Sequence, residues 1–255
     1  MWRYLWQHFL IDTTVLDGIV TDITSLLTSD THLIEIWPWQ WALTKLIYQL
    51  VPNFRVIEKD PRMESHLLKF LAQEQILLED VLSVSPSSLF SEYADVVVVW
   101  NLPYYITSPI IRQFFVETSI PRGWVFLIQH EVAAKLASDY HKRSFLWWLV
   151  NLRCDVFYSQ FVPPEAFNPP PNVDSGVIVI TRVLDEALWV RANISLDRLI
   201  SFLDIVSMYK RKTLGKIFKM RFDDMQAAWF VLPDDLMWKR LEVLTWDEMY
   251  RILYS

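Results

Sequence analysis

Residues 95–109 read DVVVVWNLPYYITSP. The four consecutive valines at 96–99 are the strongest strand signal in the chain. A continuous β-branched run suits a strand buried on both faces, as in a parallel sheet covered by helices. Outward from it, LIEI at 33–36, FRVIE at 54–58, QILL at 75–78 and WVFLI at 124–128 read as further strands. Helical patterns separate them: ALTKLIYQL at 42–50, a face of Met63, Leu67, Leu68 and Leu71, a stretch from about 108 to 118, and another from 131. Residues 154–162 and 175–182 read as two more strands, joined by the proline-rich loop PPEAFNPPPNVD at 163–174. After about 185 the strand signal stops, and 195–254 carry helical periodicity with a break at Pro233. The alternation predicts an α/β chain: a mostly parallel sheet domain over 1–185 and a small all-helical domain over 186–255.

Composition bounds the function classes. Of 255 residues, 53% are hydrophobic and 21% charged, which excludes a disordered or collagen-like chain. No apolar stretch approaches the ~20 residues that a membrane span needs, and polar residues interrupt MWRYLWQHFLID at 1–12, so neither a membrane span nor a signal peptide is expected. One cysteine, Cys154, rules out an internal disulfide and a multi-cysteine metal site and points to a reducing cytoplasm. His8, His32, His66, His130 and His141 show no metal-ligand spacing, so no metal is expected. The net charge is −6, yet Lys210, Arg211, Lys212, Lys216, Lys219 and Arg221 fall in one stretch with no acid among them. Such a run is either a solvated helix face or a phosphate-binding surface.

In an open α/β sheet, ligands bind beyond the carboxyl ends of the strands. Four candidates fall there: EIWPWQW at 35–41, Glu58 after the second strand, Asp80 in LEDVL, and NLPY at 101–104. A carboxylate at Glu58 suits a ribose diol. Asp80 can accept from an exocyclic amine or cap a helix. In NLPY, Asn101 offers an acceptor, Pro103 fixes the backbone, and Tyr104 offers a flat face for a base.

NLPYYITSP resembles the catalytic motif of the rRNA adenine dimethyltransferases, and the resemblance runs along nearly the whole chain. QHFLID (7–12), IEIWPWQWALT (34–44), VIEKDPR (56–62), FLIQHEVAAKLAS (126–138), FNPPPNVDSGVIVI (167–180) and MYKRKTLGKIF (208–218) each resemble a family segment, in the family's order. The resemblance implies a Rossmann-like S-adenosylmethionine-dependent methyltransferase sheet with a helical rRNA-binding domain. It implies dimethylation of N6 on two adjacent adenosines near the 3′ end of small-subunit rRNA, acting on the small-subunit precursor particle as a cytoplasmic monomer. By matching position, His8, Leu10, Trp37, Trp39, Glu58, Asp80 and Asn101 would bind the cofactor. Asn101, Leu102, Pro103 and Tyr104 would form the catalytic motif, with the Asn101 side chain and the Leu102 carbonyl accepting hydrogen bonds from the target N6 protons. Phe167, Lys210, Arg211 and Lys212 would contact RNA. Relatives that methylate large-subunit rRNA typically carry NIPY, so Leu102 leans toward the small-subunit enzyme.

The family motif has glycine where this chain has Trp6, Trp37, Trp39, Trp41 and Trp100. The whole chain has 4 glycines and 13 tryptophans, an inversion of ordinary usage. Two explanations compete. In one, the cofactor loop has degenerated, leaving a non-enzymatic rRNA-binding assembly factor. In the other, the source reads UGA as glycine, and a code reading UGA as tryptophan has written indoles over a working loop.

Overall fold

The computed structural model describes residues 8–38, 42–90, 93, 95–101, 106–117, 120–138, 143–183 and 189–254. Nine strands occur among them: β1 (Phe9–Leu10), β2 (His32–Ile36), β3 (Phe54–Glu58), β4 (Ile76–Leu78), β5 (Val96–Asn101), β6 (Gly123–Gln129), β7 (Cys154–Val162), β8 (Phe167–Asn168) and β9 (Ser175–Arg182). Seven form one sheet in the order β4-β3-β2-β5-β6-β9-β7. The pairs β4/β3, β3/β2, β2/β5 and β5/β6 are parallel, and β9 runs antiparallel to β6. The valines of β5 are all buried, as a strand covered on both faces requires. From β2 the chain steps outward to β3 and β4, then returns to the other side of β2 with β5 and β6. That reversal makes the carboxyl ends of β2 and β5 the topological switch point, where a crevice opens.

The helices are α1 (Thr13–Ser25), α2 (Thr44–Ile47), α3 (Glu64–Leu67), α4 (Pro86–Phe90), α5 (Thr107–Phe115), α6 (His130–Leu136), α7 (Phe145–Asn151), α8 (Trp189–Ala192), α9 (Leu196–Val206), α10 (Leu214–Met220), α11 (Phe222–Ala227) and α12 (Trp246–Tyr254). Among the described residues none is long and apolar enough to cross a membrane. Asp12 caps α1, its carboxylate accepting from the backbone N–H of Thr14 at 2.8 Å and of Val15 at 3.2 Å. The buried face of α1 is Val15, Leu16, Ile19 and Ile23.

At the amino ends of the strands, Arg122 ties several elements together. Its guanidinium donates to Asp95 at 2.6 Å and to the Leu26 carbonyl. Thr28 and Thr31 donate to the same carboxylate at 2.7 and 2.9 Å. Burial pushes Asp95 up, but the bonds from Arg122, Thr28 and Thr31 together outweigh it and hold the carboxyl below its ordinary value.

The chain divides into two compact units, Met1–Ala137 with Val156–Arg182, and Ser138–Asp155 with Val183–Ser255. This corrects the expected boundary at 185/186, because residues 138–155 join the helical unit. The physical reason is α7. Its Trp147 and Trp148 share one hydrophobic core with Phe202 and Leu203 of α9 and with Met249, Ile252 and Leu253 of α12. The core of the first unit gathers α1 residues, the inner sides of β2, β3, β5 and β6, and Phe167.

Candidate active site

β2 ends in Glu35, Ile36 and then Trp37, whose backbone N–H donates to the Ile57 carbonyl at 2.8 Å. Glu35 is 3% exposed and lines a cleft with Leu10, Leu16, Ala42, Val99 and Trp100. Burial pushes its carboxyl up to about 8, with the Thr44 hydroxyl opposing and Glu58 adding to the rise. Its Oε2 atom has no hydrogen-bond partner among the described residues. One strand over, Glu58 is 1% exposed. Its Oε1 accepts from the Asp60 backbone N–H at 2.7 Å, while its Oε2 is buried and unpartnered among the described residues. Burial pushes Glu58 up to about 7, against backbone N–H groups of Asp60 and Lys59 that stabilise the ionised form. Two buried carboxylates at adjacent strand ends, each with an orphaned acceptor, are costly unless a ligand supplies donors.

Asp80 lies two residues past Leu78, the last residue of β4 and the one paired with Glu58. Lys59 donates to one of its oxygens at 2.6 Å, and the Leu82 backbone N–H to the other at 3.1 Å. The Lys59 bond, more than the Leu82 N–H, holds Asp80 below its ordinary value against partial burial. Of the two roles open to Asp80, the structure shows the cap: its side chain accepts from the Leu82 N–H at the start of the short turn Val81–Ser83.

The N-terminal segment is clasped to the proline-rich loop. β1 pairs with β8, placing Leu10 opposite Phe167 and Phe9 opposite Asn168. The Ala166 carbonyl accepts from Ile11 at 2.8 Å and Asp12 at 3.2 Å, and His8 donates through Nδ1 to the Pro169 carbonyl at 2.8 Å, just past the cis Asn168–Pro169 bond. This brings together residues about 160 positions apart. It also corrects the reading of Phe167 as an RNA contact: the ring is 4% exposed and packed in the core, so it presents no open face to a base.

Asn101 ends β5, paired with Leu127 of β6, beside the end of β2. Leu102, Pro103, Tyr104, Trp39, Trp41 and Trp6 lie outside the described residues. Trp100 lines the cleft at 2% exposure, with its indole N–H unpartnered among the described residues. Trp37 takes φ of 63°, the left-handed region that suits glycine.

In the helical unit, Lys210, Arg211 and Lys212 are exposed in a turn between Ser207–Tyr209 and α10, rather than on one continuous helix. Gly215 lies in α10 where a Cβ would come within 2.9 Å of the Met237 carbonyl, so the close approach requires glycine. Arg221 is paired with Asp224 at 2.6 Å. No group of three or more His, Cys, Asp or Glu side chains among the described residues could hold a metal ion.

The sequence profile of the ribosomal RNA adenine dimethylase family matches residues 3–253. The chain belongs to that family. Ribosomal RNA small subunit methyltransferase A of Leuconostoc citreum is 32% identical over 220 residues, covering 82% of this chain and 72% of the relative. The enzyme of the same name from Clostridium acetobutylicum is 31% identical over 260 residues, covering 98% and 91%. Among solved structures, a dimethyladenosine transferase from Plasmodium falciparum superposes with a TM-score of 0.74 at 23% identity over 96% of both chains. The 23S rRNA methyltransferase ErmE superposes at 0.68 and 21% identity over 96% of this chain and 98% of its own. These two share the fold. Membership carries the chemistry that names the family, methylation of adenine in ribosomal RNA, with S-adenosylmethionine as methyl donor.

The buried Glu58 oxygen that has no partner among the described residues is an acceptor of the kind a ribose diol would satisfy, and to that extent the residues present fit that cofactor. Sequence reasoning did not single out Glu35 or Lys59 as individual residues. The signal for Glu35 was a lone acid inside the apolar run LIEI; Lys59 sits in VIEKDPR with no pattern to mark it.

Proposed function

We propose that this chain dimethylates N6 of two adjacent adenosines near the 3′ end of small-subunit rRNA, within the precursor particle, as a metal-independent cytoplasmic monomer. The observation that carries the reading is the switch-point geometry. The end of β5, bearing Asn101, lies beside the end of β2, one strand from Glu58.

The cofactor supplies an electrophilic methyl group. The remaining work belongs to the chain. Glu58 accepts the ribose hydroxyls with the oxygen that lacks a partner, and Asp80 accepts from the adenine amine. His8, Leu10 and the backbone of the loop at 37–39 pack along the methionine portion. Asn101 and the Leu102 carbonyl accept hydrogen bonds from the target's N6–H groups, two before the first transfer and one before the second, and so aim its lone pair; Pro103 sets that backbone and Tyr104 stacks under the flipped base. No strong base is needed for the attack, and rate comes mainly from orientation. Lys210, Arg211 and Lys212 contact phosphates and set register without reading sequence.

The test uses protein from its natural source, undermethylated small-subunit particles and S-adenosylmethionine, with rRNA nucleosides read by mass. The proposal expects dimethyladenosine in small-subunit rRNA, abolished in Asn101→Ala with cofactor binding largely intact. Product in large-subunit rRNA alone would assign the chain to the other class of enzyme. RNA binding with no cofactor binding would assign it to the non-enzymatic assembly role.

A further inference from the structure

Two described residues other than glycine have left-handed backbone: Trp37, with φ of 63°, and Trp229, with φ of 56°. The chain's four glycines, all among the described residues, have none. Tryptophan is 13 of 255 residues, so chance does not readily put it at both left-handed positions. A Cβ meets the backbone in this region, which is why glycine is the ordinary occupant.

Position 229 is far from the cofactor loop and has its own reason for that conformation. It ends α11. The Trp229 N–H donates to the Gln226 carbonyl at 3.0 Å, and the Phe230 N–H donates to the Met225 carbonyl at 2.9 Å. That pair of bonds, with Phe230 and Met225 both buried, is the glycine-terminated helix stop known as the Schellman motif, and 229 is its left-handed residue. The indole there is 81% exposed, so burial of the ring offers nothing against the strain.

Other indoles are used. Trp147 donates through Nε1 to the Ser138 carbonyl at 2.7 Å, carries the Arg143 guanidinium 4.7 Å from its ring, and packs on Trp246 at 5.6 Å. Trp246 also packs edge-on against Trp148 at 4.6 Å and carries Arg191 at 5.8 Å.

We infer that positions 37 and 229 are glycine in the protein as its cell makes it, while 147 and 246 are tryptophan. UGA is read as glycine in the source, and tryptophan stands at 37 and 229 through a code that reads UGA as tryptophan; UGG encodes 147 and 246. Trp100, Trp124 and Trp148 have buried rings on ordinary backbone, and the inference does not extend to them.

The test is fragment-ion sequencing of peptides covering the four positions, from protein purified from its natural source. Glycine at 37 and 229 with tryptophan at 147 and 246 is the expected result. Tryptophan at 37 or at 229 overturns the inference, and so does glycine at 147 or 246. The masses are read whether or not the protein transfers methyl groups, so this result and the functional one stand apart. A second measurement compares Trp229→Gly with Trp229→Ala in the full chain. The glycine variant should melt roughly 2–4 °C above the alanine variant; equal melting would remove the strain on which the inference rests.

Discussion

Glu58 shows how one buried side chain sets a pH window. Its ionised form is disfavoured by burial, so its carboxyl sits at about 7 instead of the ordinary 4.5. Accepting both hydroxyls of a diol requires the ionised form. Cofactor affinity should therefore rise as pH climbs from 6 to 8, measured by calorimetry, and Glu58→Gln should flatten that rise. Glu58→Ala should weaken binding by roughly 1.5–3 kcal/mol, the usual worth of hydrogen bonds to a charged group. Stability runs the other way. Glu35 at about 8 and Glu58 at about 7 hold their protons in the folded chain where the unfolded chain, near 4.5, has lost them. Unfolding free energy of the free protein should thus fall as pH rises from about 4.5 to 8 and level off beyond. Thermal melts across that range check this; Glu35→Gln should blunt the fall, and an unchanged slope would show that Glu35 does not titrate there. At this scale the positions of Glu58 and Asp80 at the carboxyl ends of β3 and β4 were legible, because a carboxylate closing a strand is a readable pattern. Their protonation was not, since burial and the Lys59 partner are products of the fold.

Elements differed in how plainly the sequence spelled them. β7 and β9 occupy 154–162 and 175–182 as expected: β9 holds the apolar run VIVI, and β7, CDVFYSQFV, is rich in the β-branched and aromatic residues that favour a strand. The pattern did not mark α1, α4 or α7. α1 is crowded with β-branched residues of weak helix propensity, and what holds it is the Asp12 cap and a stripe that matters only once the sheet is there. α7 is FLWWLVN, apolar all round, so no periodic face marks it as a helix. The basic stretch read as one helix because its charges are contiguous; the turn after Tyr209 breaks it and leaves Lys210, Arg211 and Lys212 exposed together. Reversing those three to glutamate should weaken rRNA binding and lower the salt slope by roughly 0.7–0.9 for each phosphate no longer neutralised, with cofactor affinity unchanged. Titrations at several salt concentrations read this directly. An unaltered slope would leave the segment as an ordinary solvated turn.

At the scale of the molecule, the order of strands decides where chemistry can sit. Reversal of direction at β2 brings Glu35, Trp37 and Asn101 to neighbouring strand ends from separate parts of the chain. The alternating pattern made this architecture readable in advance. The boundary at 185 was not readable, because α7 returns to the helical core from within the sheet domain's sequence. Nor was the fate of Phe167 readable, since its pairing partner Leu10 lies about 160 residues away.

The Arg122 tie at the amino ends of the strands bears on how the sheet breathes. Its guanidinium, Asp95 and two threonines fasten Leu26, β5 and the approach to β6 at one edge. The opposite ends carry two buried carboxyl oxygens with no partner among the described residues and a strained residue. Amide hydrogens near the tie should exchange with solvent only through global opening, while those at the carboxyl ends exchange through small local excursions. Ligands can then come and go at the soft edge without the sheet ever letting go at the other.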